Sequence, residues 1–316
     1  MNSFLGIDTS NYTTSASIYS NGKIIKNIKK LLPVKDGSLG LRQSDAVFMH
    51  VNAISEVLSK LLEDVDINVK AVGVSVKPRD QEGSYMPCFN VGASTASVIS
   101  SFLKVPLYGL SHQAGHIVAA LYSAGKLSLL KEKFLSFHVS GGTTEAILVE
   151  PDSNKVLKTS IVARTLDLNA GQLIDRVGKM LNLKFPSGPE LEKLALKYEG
   201  KIITRPTLKG SDCCLSGVEN ICAKMKVSGE TDSKIAKYCI EHILNTLDFM
   251  CGNLLKQYGN IPVLFAGGVM SNFRINEFLS KKYNAYFALP EFSSDNAAGV
   301  AILASEFYMI ENGDLK

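Results

Sequence analysis

Residues Phe134 to Ile161 read FLSFHVSGGTTEAILVEPDSNKVLKTSI. An apolar run enters a turn of glycines and hydroxyls, a second apolar run leaves it, and a third follows after Asp152–Lys155. The outline is strand, polar turn, strand, turn, strand. Residues Phe4 to Ile28, FLGIDTSNYTTSASIYSNGKIIKNI, give the same outline, with Asn21-Gly22 as the hairpin signal. The two stretches form a weak internal repeat about 130 residues apart, which predicts two similarly built halves.

Outward from these hairpins the periodicity alternates. A helix is expected from about Asp45 to Leu62, with Val47, Val51, Ile54, Val57, Leu58 and Leu61 on its apolar stripe. Lys70 to Val76 is a short buried strand, and a helix follows from about Ala93 to Leu103. Further helices are expected near Ala170–Leu181, Pro189–Tyr198 and Ser233–Gln257. Then come the strand IPVLFAGG, a short helix from Asn272, the strand AYFAL and a last helix Asp295–Ile310. Alternating strands and helices predict an α/β fold.

Composition sets the class. The chain has 316 residues, 46% hydrophobic and 20% charged, which predicts a packed core and excludes wholesale disorder. No apolar run reaches membrane-helix length. The opening MNSFLGIDTS lacks a signal-peptide pattern, so a soluble, intracellular protein is expected. The six cysteines form no CxxC pair and read as reduced packing thiols. A net charge of +4 without a basic block is compatible with a nucleic-acid partner.

The turns carry the chemistry. In Val139-Ser140-Gly141-Gly142-Thr143-Thr144 a strand delivers two glycines and three hydroxyls. Without a Cβ, backbone N–H groups can converge on an anion, so the turn reads either as a phosphate cradle or as a hairpin of small residues. Asp8-Thr9-Ser10-Asn11 opens the first copy in the same way. Ala266-Gly267-Gly268-Val269-Met270-Ser271-Asn272 is a third such junction, with an asparagine at a helix start. In SHQAGH, His112 and His116 stand four apart and would share one helix face. They read either as a metal pair or as two polar residues on a common helix. The pattern lacks the glutamate of HExxH and is a poor metalloprotease motif.

Taken together, LGIDTS, SHQAGH, VSGGTT, TLDLNAGQLIDRVGKML, FPSGPELEKLA, LSGVEN, LFAGGVMSNFRI and SSDNAAGVAILA resemble the TsaD/Gcp family nearly end to end. The resemblance implies an actin/sugar-kinase-like α/β fold: duplicated ribonuclease-H-like domains around a nucleotide cleft. One half would comprise 1–110 plus 296–316 and the other 111–295. It implies transfer of a threonylcarbamoyl group from its adenylate to N6 of the adenosine beside the tRNA anticodon. It implies a metal on His112, His116 and Asp295, iron first, with zinc or manganese as alternatives. The adenylate, or ATP, would lie on Val139, Ser140, Gly141, Gly142, Thr143, Asp175, Gly188 and Asn272. Partners would be tRNA and the TsaB-like and TsaE-like proteins that supply the adenylate, in the cytoplasm and without a membrane.

This chain departs from the family pattern at several points. Thr143 stands where the family has histidine, Asp8 where it has glutamate, and Asn11-Tyr12-Thr13 where it has an acidic run. Leu168 and Gln172 replace an aspartate and a glutamate. A glycine-rich loop is replaced by KPRDQEGSYMP, Lys77 to Pro87, which would bring Arg79, Asp80, Glu82, Ser84 and Tyr85 toward the site. Two alternatives follow: a paralogue acting on another acceptor through an adenylate, or a non-catalytic subunit of a heterodimer.

Overall fold

The computed structural model describes residues 2–10, 12–33, 41–292 and 297–313. The chain divides into two compact units. The first comprises Met1–Lys131, Glu150–Thr159 and Glu291–Lys316, and the second Glu132–Val149 and Ser160–Pro290. The sequence reading put the division at 110/111 and 295/296.

In the first unit β1 (Asn2–Ser10) pairs antiparallel with β2 (Thr13–Ser20), and β2 with β3 (Lys23–Leu31). Helix α1 (Gln43–Leu62) then leads to β4 (Asn68–Lys77), which runs parallel to β1. Helix α2 (Phe89–Leu103) leads to β5 (Leu107–Ser111), parallel to β4. The sheet order is β3-β2-β1-β4-β5. β1 and β2 are buried almost throughout, which is why they read as near-continuous apolar and small-residue runs. Helix α3 (His112–Ser123) follows β5 directly.

The second unit repeats that plan. β6 (Phe134–Val139) pairs antiparallel with β7 (Thr144–Asp152), and β8 (Val156–Arg164) lies beside β7. Then come α4 (Ala170–Met180), α5 (Gly188–Ala195), the small hairpin β9 (Thr207–Lys209) and β10 (Asp212–Cys214), α6 (Ser216–Val227) and α7 (Asp232–Tyr258). β11 (Val263–Ala266) runs parallel to β6, α8 (Phe273–Lys282) follows, and β12 (Ala285–Phe287) runs parallel to β11. The order β8-β7-β6-β11-β12 matches the first sheet strand for strand. The repeat expected from the two hairpins therefore extends to both parallel crossovers.

Helix α9 (Ala298–Glu311) returns to the first unit. It crosses α3 so closely that a Cβ on Gly299 would sit 1.9 Å from the Gly115 carbonyl oxygen. Only glycine fits there, and the contact ties α3, which carries both candidate histidines, to the same unit.

The helix expected from Ala93 begins four residues earlier, at Phe89, whose ring is buried, and Cys88 before it already has helical dihedrals. All six cysteines are free, as expected. Burial pushes the thiols of Cys213, Cys222 and Cys251 up to about 12, which keeps them protonated and unreactive. Among the described residues no helix is long and apolar enough to cross a membrane.

One buried group sets a pH limit on stability. His242 on α7 is 4% exposed and neither ring nitrogen has a hydrogen-bond partner. Burial lowers its pKa from 6.5, so the folded protein holds it neutral. The unfolded chain binds the proton more readily, and stability is lost as pH falls from 6.5 toward the folded value. His242→Phe is expected to melt at least as high as wild type at pH 7.5 and to fall off less steeply between pH 6.5 and 5. Parallel melting profiles for the two proteins would refute this assignment.

Candidate functional site

Two clusters gather the chemistry, one in each unit. In the first, β5 ends at Ser111, whose Oγ accepts the Ala114 N–H at 3.2 Å and caps α3. His112 and His116 then lie one turn apart, with Nε2 facing Nε2 at 2.9 Å. Asp8, at the end of β1 and fully buried, takes His112 Nδ1 on Oδ2 at 2.8 Å. The same oxygen accepts the Ser75 hydroxyl, and Oδ1 accepts the Ser10 N–H at 2.9 Å. The carboxylate thus accepts from His112 Nδ1 and orients the ring so that Nε2 faces His116.

This arrangement suits a metal ion. At 2.9 Å the two Nε2 atoms are at hydrogen-bond distance and close enough to face one shared ion. A buried carboxylate on the far nitrogen is the usual outer partner of a ligating histidine. Asp295, expected as the third ligand, lies outside the described residues. Among the described residues no third His, Cys, Asp or Glu completes a metal-holding group.

The replaced loop docks on the same helix. The Ser111 hydroxyl donates to Asp80 Oδ2 at 3.0 Å, and the Gln113 N–H donates to the Pro78 carbonyl at 3.0 Å. Lys77 pairs with Asp80 at 3.2 Å, and Ser84 Oγ accepts the Arg79 N–H at 3.0 Å. The loop is therefore held at the start of α3 by the Asp80 carboxylate and the Pro78 carbonyl.

The second cluster surrounds a cavity of about 360 Å³, a size that suits a small ligand. Gly141, Asp175, Gly188 and Asn272 line it, from the β6–β7 turn, α4, the first position of α5 and the junction before α8. The other expected residues of the turn lie elsewhere. Val139 is fully buried in the core, and Ser140, Gly142 and Thr143 form the turn beside the cavity. Ser140 Oγ accepts the N–H groups of Gly142 and Thr143 at 3.3 and 3.1 Å, so these donors converge inside the turn.

Sequence reading missed two contributors. The first is Gly171 at the start of α4. Its N–H donates to the Ser140 carbonyl at 3.1 Å, and a Cβ there would lie 2.5 Å from the Gly141 nitrogen. Helix and turn touch only because this residue has no side chain. The second is Glu192, which also lines the cavity and takes the Phe273 N–H on Oε1 at 2.7 Å. Its spacing of four from Gly188 on a helix was the available signal.

The remaining side chains are pinned in place. Asp175 Oδ1 accepts the Ser187 N–H at 2.9 Å, which joins α4 to the start of α5. Asn272 Oδ1 caps α8 through the Ile275 N–H at 3.1 Å and leaves its amide hydrogens as donors. Leu168, where the family has aspartate, is 4% exposed and part of the core.

A family model described as TsaD, tRNA N6-adenosine threonylcarbamoyltransferase, matches residues 40–302. A probable bifunctional tRNA threonylcarbamoyladenosine biosynthesis protein of Thermoplasma volcanium is 29% identical over 306 residues, 94% of this chain and 55% of that protein. The chain thus spans about half the length of that relative. A tRNA N6-adenosine threonylcarbamoyltransferase of Methanopyrus kandleri is 26% identical over 295 residues, 90% of this chain and 81% of that protein. Among solved structures, a ROK family glucokinase from Streptomyces griseus matches with a TM-score of 0.52 at 11% identity, over 96% of this chain and 99% of that one. That likeness concerns the fold, which is the duplicated α/β fold of the actin and sugar-kinase kind.

Proposed function

We propose, given that the chain belongs to the TsaD family of tRNA N6-adenosine threonylcarbamoyltransferases, that it transfers a threonylcarbamoyl group from its adenylate to N6 of the adenosine beside the tRNA anticodon. The observation that carries this reading is the cavity that brings Gly141, Asp175, Gly188 and Asn272 together from four separate elements. In this reading the Asp175 carboxylate accepts hydrogen bonds from the ribose hydroxyls. Gly188, with open space where a Cβ would stand, lets the sugar approach α5. The Asn272 amide donates to the base or ribose. Gly141 offers backbone beside the phosphate. These residues chiefly position the adenylate, which is the larger part of catalysis for a reactive acyl donor.

In the first unit, His112 and His116 would hold one divalent ion, iron first, with zinc or manganese as alternatives, and Asp8 would orient His112. The ion would polarise carbamoyl or phosphate oxygens. Asp295 is proposed as a further ligand. tRNA is the proposed acceptor, TsaB-like and TsaE-like proteins the proposed suppliers of the adenylate, and the cytoplasm the proposed compartment.

Asp175→Asn tests the reading. It keeps one carboxamide oxygen for the Ser187 N–H and removes the charge. The expected result is roughly 10- to 100-fold weaker binding of ATP or the adenylate by calorimetry, with the melting temperature nearly unchanged. Undiminished nucleotide binding would remove the cavity from the mechanism.

One observation favours a second reading, an adenylate-dependent transfer to another acceptor. The loop Lys77 to Pro87 is fastened to the start of α3 through Asp80 and Pro78, beside His112. Modified adenosine in tRNA from cells that rely on this chain decides between the two.

A further inference from the structure

The net charge of +4 is unevenly placed. The first unit carries 16 basic and 16 acidic residues, the second 18 and 14. Within the second unit, many basic side chains are neutralised by neighbours: Arg176 by Glu219, Lys226 by Asp232, Lys234 by Glu230, Arg274 by Glu241, Lys281 by Glu277 and Lys282 by Asp248. The stretch from α5 into β9 is set apart by its regular spacing. Lys193, Lys197, Lys201, Arg205 and Lys209 recur at every fourth position, with Glu199 the only acid among them. All five are exposed, and none forms an ion pair among the described residues.

The backbone explains why the last three face one way. From Glu199 to Lys209 exposure alternates strictly: odd positions are exposed and even positions half-buried. That is the pattern of an extended chain lying on a surface. Its inner residues are fastened to α7. Lys237 Nζ donates to the Tyr198 carbonyl at 2.8 Å, and Asn245 donates to Thr204 Oγ1 at 2.7 Å. Lys201, Arg205 and Lys209 therefore project from the same edge, about 13 Å apart at 3.3 Å per residue. That repeat is long enough for each basic residue to meet a separate phosphate of a strand laid along the edge. Ile203, 77% exposed between Lys201 and Arg205, adds an apolar contact on the same edge.

The strip also leads to the candidate nucleotide site. Glu199, Gly200, Lys201 and Ile202 line a groove of about 400 Å³ that shares Glu192, Ile240 and Asn272 with the nucleotide cavity. We infer that Lys193 to Lys209 is an RNA-docking edge, on which a phosphate backbone is held as its base approaches the cavity. The inference deepens the proposed function and rests on its choice of tRNA as acceptor.

The test titrates the chain with unmodified tRNA and with poly(U) across a salt series. The triple variant K197Q/R205Q/K209Q, none of whose positions lines either cavity, is compared with wild type and with K226Q/K234Q, which alters paired lysines. Loss of three phosphate contacts should flatten the log Kd against log salt plot by about 2 to 3 units and weaken tRNA binding more than tenfold. ATP affinity and the melting temperature should stay at wild-type values, and K226Q/K234Q should behave as wild type. If the triple variant keeps the wild-type slope, or wild type binds neither RNA, the docking edge is wrong. If the triple variant loses both RNAs while wild type binds tRNA no more tightly than poly(U), the edge stands and tRNA as the acceptor falls.

Discussion

Replacing His116 with alanine is expected to leave the purified protein unable to hold the divalent ion proposed for the imidazole pair and to abolish the proposed transfer. His116 is the better of the two histidines to remove, because the Asp8–His112 hydrogen bond survives and the buried carboxylate keeps its partners. The loss should exceed that of Asp8→Asn. That change leaves both imidazoles in place but releases His112 Nδ1, and outer-partner substitutions cost about 10- to 100-fold in metal affinity. The ordering, wild type above Asp8→Asn above His116→Ala, is read by elemental analysis after reconstitution and needs no activity assay. A His116→Ala protein that retains a full equivalent of metal would show that the imidazole pair does not hold it.

The second large effect is expected at Gly171. A side chain there meets backbone alone: the Gly141 nitrogen at 2.5 Å, and Gly141 Cα and the Ser140 carbonyl carbon at 2.7 Å. None of these atoms can rotate away, so α4 or the β6–β7 turn must move. Gly171→Val should lose about 2 to 3 kcal/mol of stability, as overpacked sites do, and the melting temperature should fall by several degrees. Nucleotide affinity should drop more than 100-fold, because Gly141 and Asp175 are carried by the two elements forced apart. Gly188→Ala is the contrast. Nothing lies within 4 Å of a Cβ at Gly188, so its stability should be unchanged, and any loss of nucleotide affinity reports the sugar's approach directly. Equal stability of Gly171→Val and wild type would mean that helix and turn do not need this contact.

Local signals made much of this legible. The two hairpins announced the duplication because each alternates apolar residues around a turn of small hydroxylated residues. The spacing of His112 and His116 placed both on one face, whereas Asp175, Gly188 and Asn272, which line one cavity, were legible only through the family resemblance. What stayed hidden depends on distance or on context. Asp8 meets His112 across 104 positions, and nothing local in LGIDTS announces a partner for an imidazole. Gly171 reads as a weak helix residue until the turn it touches is known. The β9–β10 hairpin has three-residue strands, too short for any period to register. The basic residues from Lys193 to Lys209 recur every fourth position but pass from helix into extended chain, so that spacing alone does not say which way they face.

The discontinuity of the first unit bears on how the protein is made. Its sheet and the histidine helix emerge early in synthesis, yet the unit also needs Ala298–Glu311, the helix that Gly299 seats against Gly115. The second unit, whose last residue is Pro290, has its whole sequence available sooner. Translation from the amino terminus therefore delivers the middle of the chain as a finished body first. The earlier-made segment waits, with the surface meant for its last helix uncovered, until Ala298–Glu311 has been made as well.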